Sequence, residues 1–387
     1  MKPLRVLQFI TPSGFYGAER WVLALANNLD PKEIVCDLAV TEESPNQDLS
    51  IAEHYPHNLG EVHRIRMNGR FDLRAIHRLA RTLKEREIDV VHTHGYKSDI
   101  IGLIAARSAG IKCVSTPHGF SGKVGLKLAT FIRIGTWVLK FFDAVAPLSE
   151  ELVADMRRFQ VPEKKLYLIR NGVDLLEIDK EAPAHFSEAE EFSSGAGSEK
   201  VVGFVGQLIP RKGVADLIDV FDRLFREDPS LRLRLLGDGS ERGALERRAM
   251  ALDSANAINF MGFRTDRLRV LSQFDLFVMT SSLEGIPRCM MEAMAMGVPV
   301  AAYDIPGVDQ LIENNVTGLM VPFGDKRALE LACRKLLEDR VLAKKLAQAA
   351  RERIYDRYSA NRMAQEYVAL FENLRAGNGR SVLGSSQ

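Results

Sequence analysis

Two glutamates separated by seven residues, Glu284 and Glu292, have the spacing and setting that most invite chemistry. They bracket the run Glu284-Gly285-Ile286-Pro287-Arg288, followed by Cys289, Met290 and Met291, and the run continues into Ala293, Met294, Ala295, Met296 and Gly297. Pro287 suits the first turn of a helix and Gly297 its end. Glu284 then falls in the loop before the helix, and Glu292 inside it among methionines and alanines. A carboxylate in such apolar company requires a hydrogen-bonding partner. Backbone N–H groups near Ile286 to Arg288 open the helix and attract phosphate, while two carboxylates accept hydrogen bonds from sugar hydroxyls. Together they would hold a nucleotide sugar. The plainer reading, a helix-start acid and a solvated helix residue, suits a generic pair better than one in this setting.

The histidines and cysteines narrow the chemistry. His92 and His94 stand two apart on a strand pattern, so they share a face and can mimic metal ligands; no metal is assigned to them. Cys36, Cys113, Cys289 and Cys333 form no C-x-x-C pair, which suggests neither a zinc site nor a disulfide framework and fits a reducing cytosol. No Asp-x-Asp triplet of the kind that holds a metal on a diphosphate occurs in the chain.

These residues must be positioned by an α/β scaffold. Short β-rich runs at 4–10, 34–40, 62–67, 88–92, 112–116, 144–147 and 166–169 alternate with segments of helical period, which predicts βαβ units and a parallel sheet. Residues 180–200 are rich in Glu, Ser, Ala and Gly and read as a linker. A second series at 201–205, 231–236, 258–261, 276–279, 298–302 and 319–321 predicts a second such domain. The expected division is thus an N-terminal domain over 1–180, a linker over 181–200 and a C-terminal domain over 201–355. A last helix over 356–375, with a possible return to the first domain, and a disordered tail over 376–387 complete it. Two doubly wound domains in tandem would enclose a cleft at the carboxyl ends of their strands.

The ordered motifs resemble the retaining GT-B glycosyltransferases of family 4. Besides Glu284 and Glu292 they include Gly17-Ala18-Glu19, Thr116-Pro117-His118-Gly119, Asn171-Gly172-Val173-Asp174, Val205-Gly206 with Lys212-Gly213, Gly237-Asp238-Gly239, Phe260-Met261-Gly262 and Thr317-Gly318-Leu319. The resemblance implies two Rossmann-like domains, with donor-binding residues Gly17, Gly206, Arg211, Lys212, Glu284, Gly285, Ile286, Pro287 and Glu292. Within that set Glu284 would meet hydroxyls of the transferred sugar, Glu292 the ribose, and Lys212 the diphosphate, where a fixed cation offsets the charge that builds as the anomeric bond breaks. Gly17 would admit close backbone approach to the same phosphates, and His118 would lie near the reacting sugar. The resemblance makes His118, Lys212 and Glu284 the catalytic candidates and implies transfer with retention, no bridging metal and no cofactor beyond the nucleotide diphosphate sugar itself. Two positions depart from the pattern. Gln207 stands where an arginine is common, with Arg211 the candidate to replace it, and Gln310 stands where a glutamate is common.

Charge and hydropathy bear on the partners. The whole chain carries 52 basic and 51 acidic side chains, so nothing invites nucleic acid. Residues 60–142 nonetheless hold 15 Lys or Arg against 6 Asp or Glu, and 122–142 combines Lys, Arg and Trp with many large apolar residues. That stretch reads equally as a helix lying on an anionic membrane surface and as a buried helix whose cations snorkel to water. The expected acceptor is a saccharide or lipid-linked sugar in lipopolysaccharide, surface-polysaccharide or glycolipid assembly. With no signal-peptide pattern after Met1, the expected location is the cytoplasm, including the inner face of its membrane. A dinucleotide-dependent oxidoreductase fails because the glycines of Gly237-Asp-Gly-Ser-Glu-Arg-Gly243 miss the G-x-G-x-x-G spacing by one. A noncatalytic nucleotide- or sugar-binding protein and a phosphorylase- or sucrose-type enzyme on the same frame are the remaining rivals.

Overall fold

The computed structural model describes residues 2–377 apart from 13, 15–16, 70–71, 119–132 and 182–198. The chain forms two compact units, one of Met1–Asp174 with Ala360–Gln387 and one of Leu175–Ser359. The helix Leu175–Glu181 therefore belongs to the second unit and the helix Ala360–Arg375 to the first. The expected linker falls almost wholly outside the described residues, as does the expected tail from 378 onward.

In the first unit six parallel strands, β1 (Leu4–Ile10), β2 (Ile34–Glu42), β3 (Val62–Arg66), β4 (Val90–His94), β5 (Lys112–Ser115) and β6 (Ala144–Val145), lie in the order β3-β2-β1-β4-β5-β6. Both faces are covered, which is why these strands read as nearly continuous apolar runs. Leu4, Val6 and Ile10 point into a core shared with the helices Gly17–Asn27 and Ala360–Arg375. Leu7 and Phe9 point into the opposite core, under Arg74–Glu85 and Tyr96–Ala109. Tyr367 and Phe371 anchor the C-terminal helix and are fully buried, each worth roughly 2–3 kcal/mol of apolar burial. The run at 166–169 is not a strand: Leu166 makes one bridge to Val145, and the ladder lapses beside Pro147, which has no N–H to give.

The second unit repeats the plan with β7 (Lys200–Val205), β8 (Leu231–Leu236), β9 (Ile258–Gly262), β10 (Leu276–Met279), β11 (Val300–Asp304) and β12 (Leu319–Pro322), ordered β12-β11-β10-β7-β8-β9. The order reverses direction between β1 and β4 in one sheet and between β7 and β10 in the other. Loops leaving the carboxyl ends of such neighbours diverge and open a crevice, where sheets of this kind take ligands.

Candidate active site

In the second unit the loops after β7 and β10 flank that crevice. The first carries a short 3-10 turn, Pro210–Lys212, closed by Gly213 in the left-handed region at φ 61°. Any side chain at Gly213 would bring its Cβ within 2.2 Å of the Thr280 carbonyl oxygen, so only glycine lets the two loops touch. They are laced together there: the Thr280 hydroxyl donates to the Lys212 carbonyl at 3.1 Å, and the Ser282 amide donates to the Arg211 carbonyl at 2.8 Å. This lacing aims the Lys212 ammonium at Glu284, with Nζ 2.5 Å from Oε1 and both side chains about nine-tenths buried, at 10% and 8% exposure. Arg211 lies 3.8 Å from the other oxygen of Glu284 and donates to the Leu283 carbonyl at 3.1 Å. Gln207 is exposed.

The peptide after Glu284 is braced from a loop that sequence reasoning set aside. Gly307, at φ 89°, approaches so closely that a Cβ there would lie 1.5 Å from the Gly285 carbonyl oxygen. Ile286 and Pro287 are buried, Gly285 is exposed, and Pro287 forms the N-cap of the helix Arg288–Ala295, one residue before the expected first turn. Gly206 sits at the end of β7, its carbonyl oxygen 1.8 Å from where a Cβ on Gly237 would fall. The loops after β7 and β8 therefore meet backbone to backbone.

Glu292 is buried among Met290, Met291 and Met294, and two guanidinium groups satisfy it. Arg267 reaches one oxygen at 2.8 Å and the other at 3.3 Å, and Arg288, one helical turn earlier, donates at 2.9 Å. Burial pushes the carboxyl up, but the two cations more than offset this and hold it at about 2. Arg288 was legible as an i, i+4 partner of Glu292. Arg267, at the start of the helix Arg267–Leu271, arrives only through the tertiary fold.

In the first unit His118 meets the histidine pair of β4 at the β1/β4 crevice. Gln8 pairs in register with His92, and Ile10 with His94, so Gln8, His92 and His94 share one face. His118 follows β5 at the end of Thr116-Pro117-His118 and lies 3.1 Å from His94, Nε2 to Nδ1. Gln8 Oε1 is 2.8 Å from His94 Nε2, and His92 reaches the Thr116 hydroxyl, which in turn meets Tyr367, both at 2.7 Å. Trp21 packs its ring 5.3 Å from His94 and 5.1 Å from His118, centroid to centroid. Burial lowers His118 to about 4 and His92 and His94 well below the ordinary imidazole value. Such rings are neutral at neutral pH, and each histidine is engaged by protein groups. Gln8 and Trp21 were missed, although a lone glutamine inside the apolar strand Leu4–Ile10 is itself a signal that something polar faces it. Gly17 opens the helix Gly17–Asn27, and among the described residues no atom beyond its chain neighbours and its own helix backbone lies within 4 Å of its Cβ position. Gly119 lies outside the described residues.

The chain resembles known proteins over both of its halves. A family model described as Glycosyltransferase Family 4 matches residues 15–176, and one described as Glycosyl transferases group 1 matches residues 186–353. The chain is 28% identical over 290 residues to the UDP-Gal:alpha-D-GlcNAc-diphosphoundecaprenol alpha-1,3-galactosyltransferase of Escherichia coli, covering 70% of this chain and 72% of that protein. To the lipopolysaccharide core biosynthesis glycosyltransferase LpsE of Rhizobium meliloti it is 32% identical over 170 residues, 44% of this chain and 49% of that one. A crystal structure of HepE from Anabaena in complex with UDP and glucose matches in fold, with a TM-score of 0.78 at 20% identity over 96% of this chain and 100% of that one. With one model on each half and the same two-sheet architecture throughout, the chain belongs to glycosyltransferase family 4 and is a glycosyltransferase of the GT-B fold.

Proposed function

We propose that the protein transfers a hexosyl or N-acetylhexosaminyl unit from a uridine diphosphate sugar to a saccharide or lipid-linked acceptor in lipopolysaccharide or surface-polysaccharide assembly. Transfer proceeds with retention at the anomeric carbon and without a metal on the diphosphate. The observation that carries this reading is the Lys212–Glu284 pair at the point where the second sheet reverses, 2.5 Å from nitrogen to oxygen. The carbon–oxygen bond to the diphosphate breaks as the acceptor oxygen bonds to the anomeric carbon, and the acceptor's proton leaves with the diphosphate. Lys212 meets the charge that builds on the leaving group, supported by the N-terminus of the helix Arg288–Ala295 and by Arg211. Glu284 accepts hydroxyls of the transferred sugar, and Glu292, fixed as a carboxylate by Arg267 and Arg288, accepts the ribose hydroxyls. The uridine donor and the surface-glycan setting are carried by the relatives that act there.

The first unit would meet the acceptor, and its described surface favours docking on an anionic lipid headgroup layer. Of the stretch 122–142, residues 122–132 lie outside the described part; 133–142 buries Val138, Leu139 and Phe142 yet exposes Ile134, Trp137 and Phe141, the indole at 56%. Arg133, Lys140 and Trp137 line one shallow depression with Phe159. Aromatic and aliphatic groups flanked by cations suit a membrane interface, and no described helix is long and apolar enough to cross a bilayer. The test of the reaction is transfer from UDP-sugars in EDTA with the product anomer read by NMR. Retained configuration and undiminished rate are expected; inversion, or loss of turnover restored by a divalent cation, contradicts the reading.

A further inference from the structure

A cavity of the second unit lies apart from Lys212, Glu284 and Glu292, none of which lines it. Arg234 on β8 pairs in register with Gly203 of β7 on one side and with Asn259 of the edge strand β9 on the other, so the three share a face, and Met261 follows two residues on. Phe274 covers that face at β7, where a Cβ on Gly203 would lie 1.9 Å from its ring. Beyond the ring, β8, β9 and the helix Arg267–Leu271 enclose a cavity of about 380 Å³, with Arg264, Asp266, Arg269 and Gln273 on its walls. That volume suits a small ligand.

The polar groups of the cavity are mostly donors. Arginine can only donate, so the 2.7 Å contact from Arg234 Nη1 fixes the Gln273 oxygen on Arg234 and turns the N–H groups of that amide elsewhere. Asp266 is the one carboxylate in the described lining, and Arg264 takes both its oxygens, at 2.7 and 2.5 Å. Asp275 senses the charge of Arg234 but accepts the Val201 amide at 2.7 Å. Among the described residues neither Arg234 nor Arg269 forms an ion pair, which leaves two guanidinium groups on one cavity without a counterion. Arg267 and Arg269 stand about 200° apart around their helix: the first grips Glu292 at 2.8 Å, and the second lines the cavity.

We propose that this cavity is a second anion site, separate from the donor crevice, which takes the phosphate of a small phosphate monoester. Two guanidinium groups match the double charge of a phosphate, whose oxygens accept forked donors in pairs, and the Gln273 amide supplies a further donor. A carboxylate brings half that charge. Met261 and Val270 give the organic part of the ester an apolar wall.

Titration calorimetry with inorganic phosphate and with phenyl phosphate in a chloride buffer tests the proposal. One site per chain is expected, with phenyl phosphate bound several-fold more tightly because it also covers apolar surface. Lys212→Ala removes the cation of the donor crevice, so binding that survives in this variant belongs to the second site. Arg269→Gln should weaken binding about tenfold, the scale of losing a charge-assisted pair. Arg234→Gln with Arg269→Gln should abolish it and leave the Kd for uridine diphosphate unchanged; the thermal midpoint without phosphate reports the folding of these variants. Loss of phosphate binding in Lys212→Ala, full binding in the double variant, or no saturable binding of either compound to the native protein would overturn the proposal. Equal affinity for the two compounds would contradict the ester.

Discussion

In the second unit the crevice at the reversal of the sheet is built from full charges, Lys212 on Glu284 and two guanidinium groups on Glu292. In the first unit the equivalent crevice is lined by neutral rings, His92, His94 and His118 around Trp21, with Gln8 and Thr116 completing their hydrogen bonds. The same doubly wound plan thus carries two opposite electrostatic solutions. A charged pair in a nearly buried setting is a standing exchange site: a diphosphate can compete for Lys212, and a hydroxyl can share Glu284, with little reorganisation. A buried neutral cluster has no charge to exchange and offers directed hydrogen bonds instead, which suits orientation of an uncharged hydroxyl.

The largest expected effect removes the charge from the charged half. Lys212→Ala should lower kcat roughly 10²- to 10³-fold, the scale of losing one preorganised group that stabilises a developing anion, as measured by product release from saturating donor. Retention of normal kcat would mean that the pair is structural and that the contrast between the halves has no catalytic meaning.

Next in size, Glu292→Gln should weaken binding of uridine diphosphate about tenfold in titration calorimetry, since a charge-assisted acceptor becomes a neutral one. It should also change the acid limb of stability. Glu292 titrates at about 2 in the fold against an ordinary 4.5, so its contribution is complete above the ordinary value and is lost as pH falls from about 4.5 towards 2. Denaturant midpoints of Glu292→Gln should fall less steeply in that window than those of the native protein.

The neutral half predicts a different window. His118 titrates at about 4 against an ordinary 6.5, so the unfolded chain takes up a proton first and the stability due to a neutral His118 is lost as pH falls from 6.5 through about 4. His118→Gln should flatten that portion of the curve and leave the lower one alone. If both variants flatten the same window, the two halves are not electrostatically distinct. The smallest effect concerns the surface: Lys140→Gln should weaken flotation with phosphatidylglycerol vesicles about fivefold, one cation contributing about 1 kcal/mol near such a surface. Unchanged flotation would remove the membrane from the account of the first unit.

Much of the scaffold was legible because alternation of β-rich and helical periods is a local property. Ten of the twelve strands fall close to their expected places, and β4 and β11 are each displaced by two residues, to Val90–His94 and Val300–Asp304. What failed was nonlocal: the run at 166–169 has strand-like residues, but Pro147 interrupts the neighbour it needed. The site divides in the same way. Glu284, Glu292 and Lys212 were legible as members of ordered motifs, and Arg288 through helical spacing. Arg267, Gln8 and Trp21 were not, since each becomes relevant only when a distant strand or helix is brought beside it.

The central claim is that Lys212, Glu284 and Glu292 form a binding site for a uridine diphosphate sugar. It is tested most directly by thermal unfolding with and without uridine diphosphate in EDTA, for the native protein and Glu292→Gln side by side, because a ligand selective for the folded state raises the midpoint in proportion to its affinity. A rise in the native protein that is largely absent in the variant is the predicted result. No rise in the native protein, or an equal rise in both, would contradict the assignment.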